Sequence, residues 1–363
     1  MNLADKIALS YIELIRLVRL FIINTFSRLL FRKTSSIKKI LINRDGAFGD
    51  SIVALPALNI IRENYPEAQI DLLSINDSNI SFKDLGLKDN LINTFFIITK
   101  QQRAQTLKDL KLAGYDLFIQ IPQNIGIYKS IRNMLLVRFY LKINHAFGWD
   151  SGRIKSFMRL QKKYLSIPTE TKRFISSLQK HDLHGQLRYS LVGQEPENPS
   201  LKDLINTHPI IVFLIGGKLR PKKWPLDHWV SLANLIGSNY TILIAGGEKE
   251  IKEADYIVSK SKNTTNVCGK LSVTELYYVL TKTVIAISLD TGAMHLCDAA
   301  GTRVIALIST RDLSNKWWPN NEGSVVIEKV LPCSFCLKTV CSDNICMKKI
   351  TPEEVYAAFS TVD

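Results

Sequence analysis

Asp290, Thr291 and Gly292 stand where an apolar run, Ile285–Leu289, gives way to helical spacing. A strand that runs through such a turn into a helix leaves backbone N–H groups unpaired at the helix start. With the helix dipole, those donors form an anion site suited to a phosphate. Thr291 can add a hydroxyl, and Gly292 lets a ligand come close to the backbone. The same residues are also ordinary helix N-caps. His295, one turn on, reads more readily as a buried structural histidine than as a catalytic one.

Three more clusters have the same placement. Gly46-Ala47-Phe48-Gly49-Asp50 follows an apolar run and lacks the glycine spacing of the dinucleotide fingerprint. Its Asp50 can act as general base toward a hydroxyl nucleophile, or simply cap a helix. Lys218, Arg220, Lys222 and Lys223 follow Gly216-Gly217 and precede Trp224-Pro225. Four cations in six residues can neutralise a leaving diphosphate, against the plainer reading of a solvated loop. Gly246-Gly247-Glu248 leaves room for a nucleoside, with Glu248 placed to accept ribose hydroxyl hydrogen bonds, or to cap. In the tail, Cys333, Cys336, Cys341 and Cys346 are spaced closely enough for a structural zinc, although the spacing is tighter than in common zinc ribbons and no His or carboxylate cluster accompanies it.

The elements that must position these residues are legible as an alternation. Ile37–Ile42, Ile70–Ser74, Phe95–Ile98 and Asp116–Ile121 read as strands, with helices over Ser51–Asn64 and Gln101–Leu112. A basic apolar helix follows at 128–142, then a short strand at 143–148. Residues 193–209 hold three prolines among polar residues and suit a linker. A second alternation runs from Ile210 to Ile308. This predicts α/β architecture with two Rossmann-like parallel sheets, whose ligands bind at the carboxyl ends of the strands. The expected division is 1–36, a basic amphipathic helix; 37–195, an acceptor-binding domain; 196–208, the linker; 209–330, a nucleotide-sugar-binding domain; and 331–363, a Cys-rich tail with a terminal helix.

The chain has 363 residues, 47 Lys and Arg against 33 Asp and Glu, and a net charge of +14, so an acidic partner is implied. Eight Lys or Arg fall in the first 39 residues, against Asp5 and Glu13. Arg16, Arg19 and Arg28 interrupt the apolar pattern there, which excludes a membrane span. A helix lying on an anionic membrane surface fits, and packing on the protein body is the other reading. Nothing marks a secretion signal, which points to the cytoplasm and reduced thiols. Cys268 and Cys297 have apolar neighbours and read as core. Nucleic-acid binding is disfavoured, because no reading module or interleaved aromatic-basic patch is present.

In this order the clusters resemble glycosyltransferase family 9, the ADP-heptose:lipopolysaccharide heptosyltransferases. The matching pieces are ILINRDGAFGDSIVALPALNIIRENYPEAQIDLL, KKWPLDHWVSLANLI, GGEKE, and NVCGKLSVTELYYVL leading into SLDTGAMHLCDAAGTRVIAL, with ITPEEVYAAF near the end. The resemblance implies a GT-B fold, two Rossmann-like domains facing across a cleft, and an inverting, metal-independent transferase needing no cofactor. It makes Asp50 the general base and Lys222 the stabiliser of the leaving nucleotide diphosphate. Gly49, Gly216, Gly217, Gly247, Glu248, Asp290, Thr291, Gly292 and His295 fall to the nucleotide sugar, Glu248 within one or two residues of register. The implied partners are ADP-heptose, a lipid-linked glycan acceptor such as the lipopolysaccharide core, and the inner face of the cytoplasmic membrane. Gly216-Gly217-Lys218-Leu219 departs from the usual donor loop, and the N-terminal helix precedes the usual start. Another nucleotide sugar serving capsule or O-antigen, or a non-catalytic sugar-nucleotide-binding homologue, therefore stays open.

Overall fold

In a computed structural model, the described residues are 3–34, 36–74, 82–88, 90–99, 101–122, 126–149 and 167–362. The side chains of Asp5 and Lys6, counted above in the basic helix, lie outside that description. The chain divides into two units, one holding residues up to 190 apart from 84–86, the other holding 84–86 and 191–363.

The first unit opens with α1 (Leu3–Leu30). It continues through β1 (Lys39–Asn43), α2 (Phe48–Asn64), β2 (Gln69–Ser74), β3 (Thr94–Ile97), α3 (Arg103–Ala113) and β4 (Leu117–Gln120). Then come α4 (Ile127–Leu135), extended by a π-helical turn over Leu136–Tyr140, β5 (His145–Phe147) and α5 (Glu170–Gln179). The strands form one parallel sheet ordered β3-β2-β1-β4-β5. Because side chains alternate along a strand, Leu41, Leu73, Phe118 and Ala146 share one face. There they pack with Ile23 and Phe31 at the end of α1, Leu110 of α3, and Met134 and Val137 of α4 and its extension. Helices α2 and α5 pack together elsewhere in the unit.

The second unit holds α6 (Pro199–Thr207), β6 (Ile210–Leu214), α7 (Leu226–Ile236), β7 (Thr241–Ala245), α8 (Ile251–Lys260), β8 (Thr264–Asn266) and α9 (Val273–Thr281). It ends with β9 (Ile285–Leu289), α10 (Gly292–Ala300), β10 (Val304–Ile308), β11 (Val325–Glu328), α11 (Ile345–Lys348) and α12 (Pro352–Val362). Its sheet is parallel throughout, ordered β11-β10-β9-β6-β7-β8. Counted from the start of the unit this is the doubly wound order 3-2-1-4-5-6, read from the β8 edge, in which strand succession reverses between β6 and β9.

Two expectations about the division of the chain change here. The stretch read as a linker, 196–208, contains α6, which Asn198 caps by accepting the Leu201 N–H at 3.1 Å and whose first residue is Pro199. Proline at the first helical position starts a helix rather than preventing one. The tail is not separate either. Met347, Ile350, Val355 and Phe359 are buried with Phe213, Trp229 and Ile257 in the core of the second unit.

Candidate functional site

The β6–β9 reversal is where an open α/β sheet leaves a crevice at its carboxyl edge. The turns after β6, β7 and β9 converge there. A Cβ added at Gly216 would lie 3.5 Å from the Gly246 Cα, and one at Gly217 would lie 3.7 Å from the Thr291 Cγ2. These are ordinary contacts, so packing alone does not demand either glycine. Their missing side chains leave open space between the turns.

Lys222 and Asp290 bridge the reversal. Lys222 closes a short 3-10 turn, Arg220–Lys222. Its Nζ lies 2.8 Å from the Asp290 Oδ2 and donates to the Asp290 carbonyl at 3.0 Å. An ammonium has three donors, so the third is left for a ligand oxygen. Asp290 is buried. Next to it, Thr291 is the N-cap of α10 but makes no side-chain cap, and its Oγ1 is buried with no protein partner. A buried hydroxyl without a partner is costly. Here it sits beside the open N–H groups of Gly292 and its successors, so a bound anion would satisfy both. His295 is buried one turn into α10, its ring 6.0 Å from that of Trp317.

At the β7 turn the inward-facing acid lies two residues beyond Glu248, within the register the resemblance allowed. Glu248 is exposed, whereas Glu250 turns inward. One Glu250 oxygen accepts the Gly247 N–H at 3.1 Å, and the other lies 3.1 Å from the Lys223 Nζ, which also reaches Glu253 at 2.6 Å. Burial alone would lower the Lys223 ammonium, but the two carboxylates outweigh it and hold the group above its usual range. Lys222 and Lys223 therefore have different partners: one joins β9's turn, the other clamps β7's. Burial pushes the Cys268 thiol behind Gly246 up to about 12, which makes it an inert wall.

Asp50 lies in the first unit, in the first turn of α2. It is folded back on its own loop: Oδ2 accepts the Ala47 N–H at 3.0 Å, and Oδ1 lies 3.3 Å from the Arg44 Nη2. A Cβ at Gly46 would sit 2.4 Å from the Asp50 Cβ, so a glycine is required there for the carboxylate to adopt this position. About a third of the Asp50 side chain remains exposed. Gly49 is half-buried in the same turn. Arg44, unmarked by the sequence reading, is buried. It donates to the Pro122 carbonyl at 3.1 Å and lies over the Phe174 ring at 4.7 Å. It thus links the turn after β1 to the chain leaving β4, across the reversal of the first sheet.

The tail cysteines are not gathered. Among the described residues, no group of three or more His, Cys, Asp and Glu side chains is placed to hold a metal ion. Three of the thiols have distinct surroundings. Cys341 accepts the Asn344 N–H at 3.4 Å, Cys346 faces the Ser309 hydroxyl at 3.6 Å and packs on the core, and Cys333 is exposed. The spacing that would allow a structural zinc is thus not matched by a gathered ligand set among the described residues.

The sequence model of glycosyltransferase family 9 (heptosyltransferase) matches residues 105–346, two thirds of the chain. The chain belongs to glycosyltransferase family 9. It is accordingly a glycosyltransferase, and the Lys222, Asp290 and Thr291 arrangement lies inside the matched region. Asp50 lies before it. A curated relative, lipooligosaccharide heptosyltransferase 2 of Campylobacter jejuni, is 24% identical over 332 residues, covering 87% of this chain and 96% of its own length. Among solved structures, a family 9 glycosyltransferase from Veillonella parvula superposes with a TM-score of 0.69 at 16% identity, over 91% of this chain and 98% of its own. An Escherichia coli heptosyltransferase with ADP-2-deoxy-2-fluoro heptose gives 0.60 at 16% identity, over 90% and 100%. The fold of this family 9 member is GT-B.

Proposed function

We propose that this family 9 enzyme transfers a heptose from ADP-heptose to a lipid-linked glycan acceptor of the lipopolysaccharide core. The observation that carries the reading is the Lys222–Asp290 pair beside the open N-terminus of α10. It offers one ammonium N–H, several backbone N–H groups and a buried hydroxyl to a single anionic group. A nucleotide diphosphate meets that demand. The related lipooligosaccharide heptosyltransferase and the solved enzyme with an ADP-heptose analogue support the choice of donor.

The second unit would hold the donor and the first the acceptor. Asp50 takes the proton of the acceptor hydroxyl as its oxygen attacks the anomeric carbon, and the bond to the diphosphate breaks on the opposite side, so configuration inverts. Charge developing on ADP is met by Lys222 and by the N–H groups at Thr291–Gly292. These protein groups supply the countercharge, so the reaction is proposed to run without a metal ion. Gly216, Gly217 and Gly247 leave room for the nucleotide, His295 lines the donor turn, and Glu250, with Glu248 at the rim, is placed for the nucleoside.

Acceptors of this kind are held in a bilayer, and α1 suits that setting. No helix among the described residues is long and apolar enough to cross a membrane. The outward side of α1 is nonetheless an apolar stripe with the exposed Arg28 near its end, which fits peripheral attachment to the inner face of the cytoplasmic membrane. The test of the chemistry is Asp50→Ala. A positioned base contributes about 10² to 10⁴ in rate, so ADP release from ADP-heptose with acceptor present should fall by that factor, while ADP affinity measured by calorimetry holds. Full turnover in this variant would remove Asp50 from the mechanism. Undiminished ADP binding with no turnover on any acceptor, by the wild-type enzyme, would favour a binding homologue.

A further inference from the structure

One layer of the first unit is built with two apolar sides. The inner side of α4 and the Ile23 end of α1 belong to the core described above. The outer side of α1 carries Ile7, Tyr11, Leu14, Val18, Phe21 and Leu29. These fall within one stripe at helical spacing, roughly opposite the buried Ile23, and each is between 48% and 77% exposed. Helix α4 and its π-helical turn repeat the arrangement. Ser130, Met134 and Val137 face inward, while Tyr128, Leu135, Phe139 and Tyr140 are exposed. The two helices touch, and Ile23 of α1 and Met134 of α4 pack on the same sheet face, so where they meet their outer sides both turn away from the sheet.

The charges of α4 and its flanks have one sign. Lys129, Arg132, Arg138 and Lys142 lie on or next to α4, and residues 121–149 contain no Asp or Glu. Arg138 lies 6.0 Å from the Phe139 ring centre, and Lys111 lies 5.1 Å from that of Tyr140. Interleaved aromatic and cationic side chains of this kind partition into the headgroup region of anionic bilayers. A second copy of the chain fits poorly. A two-fold interface brings a patch against itself, which here would set uncompensated cations against cations.

We infer that α4 is a second membrane anchor, and that α1 and α4 together form one docking face for an anionic lipid surface. The inference rests on the lipid-facing role proposed for α1 and extends it to a helix inside the folded unit. The test is co-sedimentation of the full chain with phosphatidylcholine vesicles, with and without phosphatidylglycerol. Wild type should bind the anionic vesicles and release with salt. The double variant Leu135→Ser/Phe139→Ser should bind at least about tenfold more weakly, and Arg132→Glu at least about fivefold. Both should keep the thermal melt and the ADP affinity of wild type, because the replaced side chains are exposed and outside the donor site. If these variants bind as wild type does while Leu14→Ser/Phe21→Ser detaches, α4 is not an anchor and the inference fails, leaving the α1 reading intact. If wild type ignores anionic vesicles, both fail and the donor chemistry is untouched. If sedimentation without lipid shows a dimer that the α4 substitutions dissolve, the face is a self-interface and the inference is overturned.

Discussion

Lys222 and Asp290 depend on each other. Lys222→Ala leaves the Asp290 carboxylate buried without its cation, which costs about 3 kcal/mol in stability, measurable by urea unfolding. Under the proposed mechanism the same change removes a donor to the leaving group, worth about 10² to 10³ in turnover. A variant that lost stability but turned over normally would make the pair structural only. These two residues were legible because each sits at a turn after an apolar strand, and the doubly wound order brings those turns together. Asp50 was legible for the same reason, but its capping geometry was not: Ala47 is the N-cap, and Asp50 bonds back to it from inside the first turn. Arg44 and Glu250 were not. Arg44 matters through the Pro122 carbonyl and the Phe174 ring, distant in sequence, and Glu250 through a clamp on Lys223. Linear spacing does not encode either contact.

The loop after β10 shows how an element holds the site from outside it. Asp312 accepts from the Leu313 N–H at 2.9 Å and the Trp317 Nε1 at 3.1 Å, and pairs with Lys316 at 3.1 Å. Trp317 in turn lies beside His295 of α10. Burial alone would raise the Asp312 carboxyl, but Lys316 and these N–H donors outweigh it and hold it below the ordinary carboxylate range. A depressed carboxylate stabilises the fold above its unfolded-state pKa, and that contribution is lost as pH falls through the lower folded value. Acid titration of Trp317 fluorescence, taken as wild type minus Trp317→Phe, should therefore show a transition below about pH 4. Asp312→Asn should abolish it. At this scale the sequence reading missed short or polar elements: β8 (Thr264–Asn266) has no apolar residue, and α6 was hidden by the prolines and polar residues around it. The long apolar strands of both sheets were plain.

Across the whole molecule, the net charge of +14 is divided between two tasks in this account. Lys222 and the α10 N-terminus serve the diphosphate, while the cations of α1 and α4 serve a lipid surface. Under the proposal that protein groups supply the countercharge to the donor, a chelator such as EDTA should leave the turnover of ADP-heptose unchanged. Loss of activity restored by an added divalent ion would show that the proposed countercharge is incomplete. The most direct measurement is a crystal structure with ADP bound. The account predicts its diphosphate at the N-terminus of α10, within hydrogen-bonding distance of the Gly292 N–H, the Thr291 hydroxyl and the Lys222 Nζ. A nucleotide seated elsewhere, with Lys222 still closed on Asp290 and the Thr291 hydroxyl untouched, would contradict it.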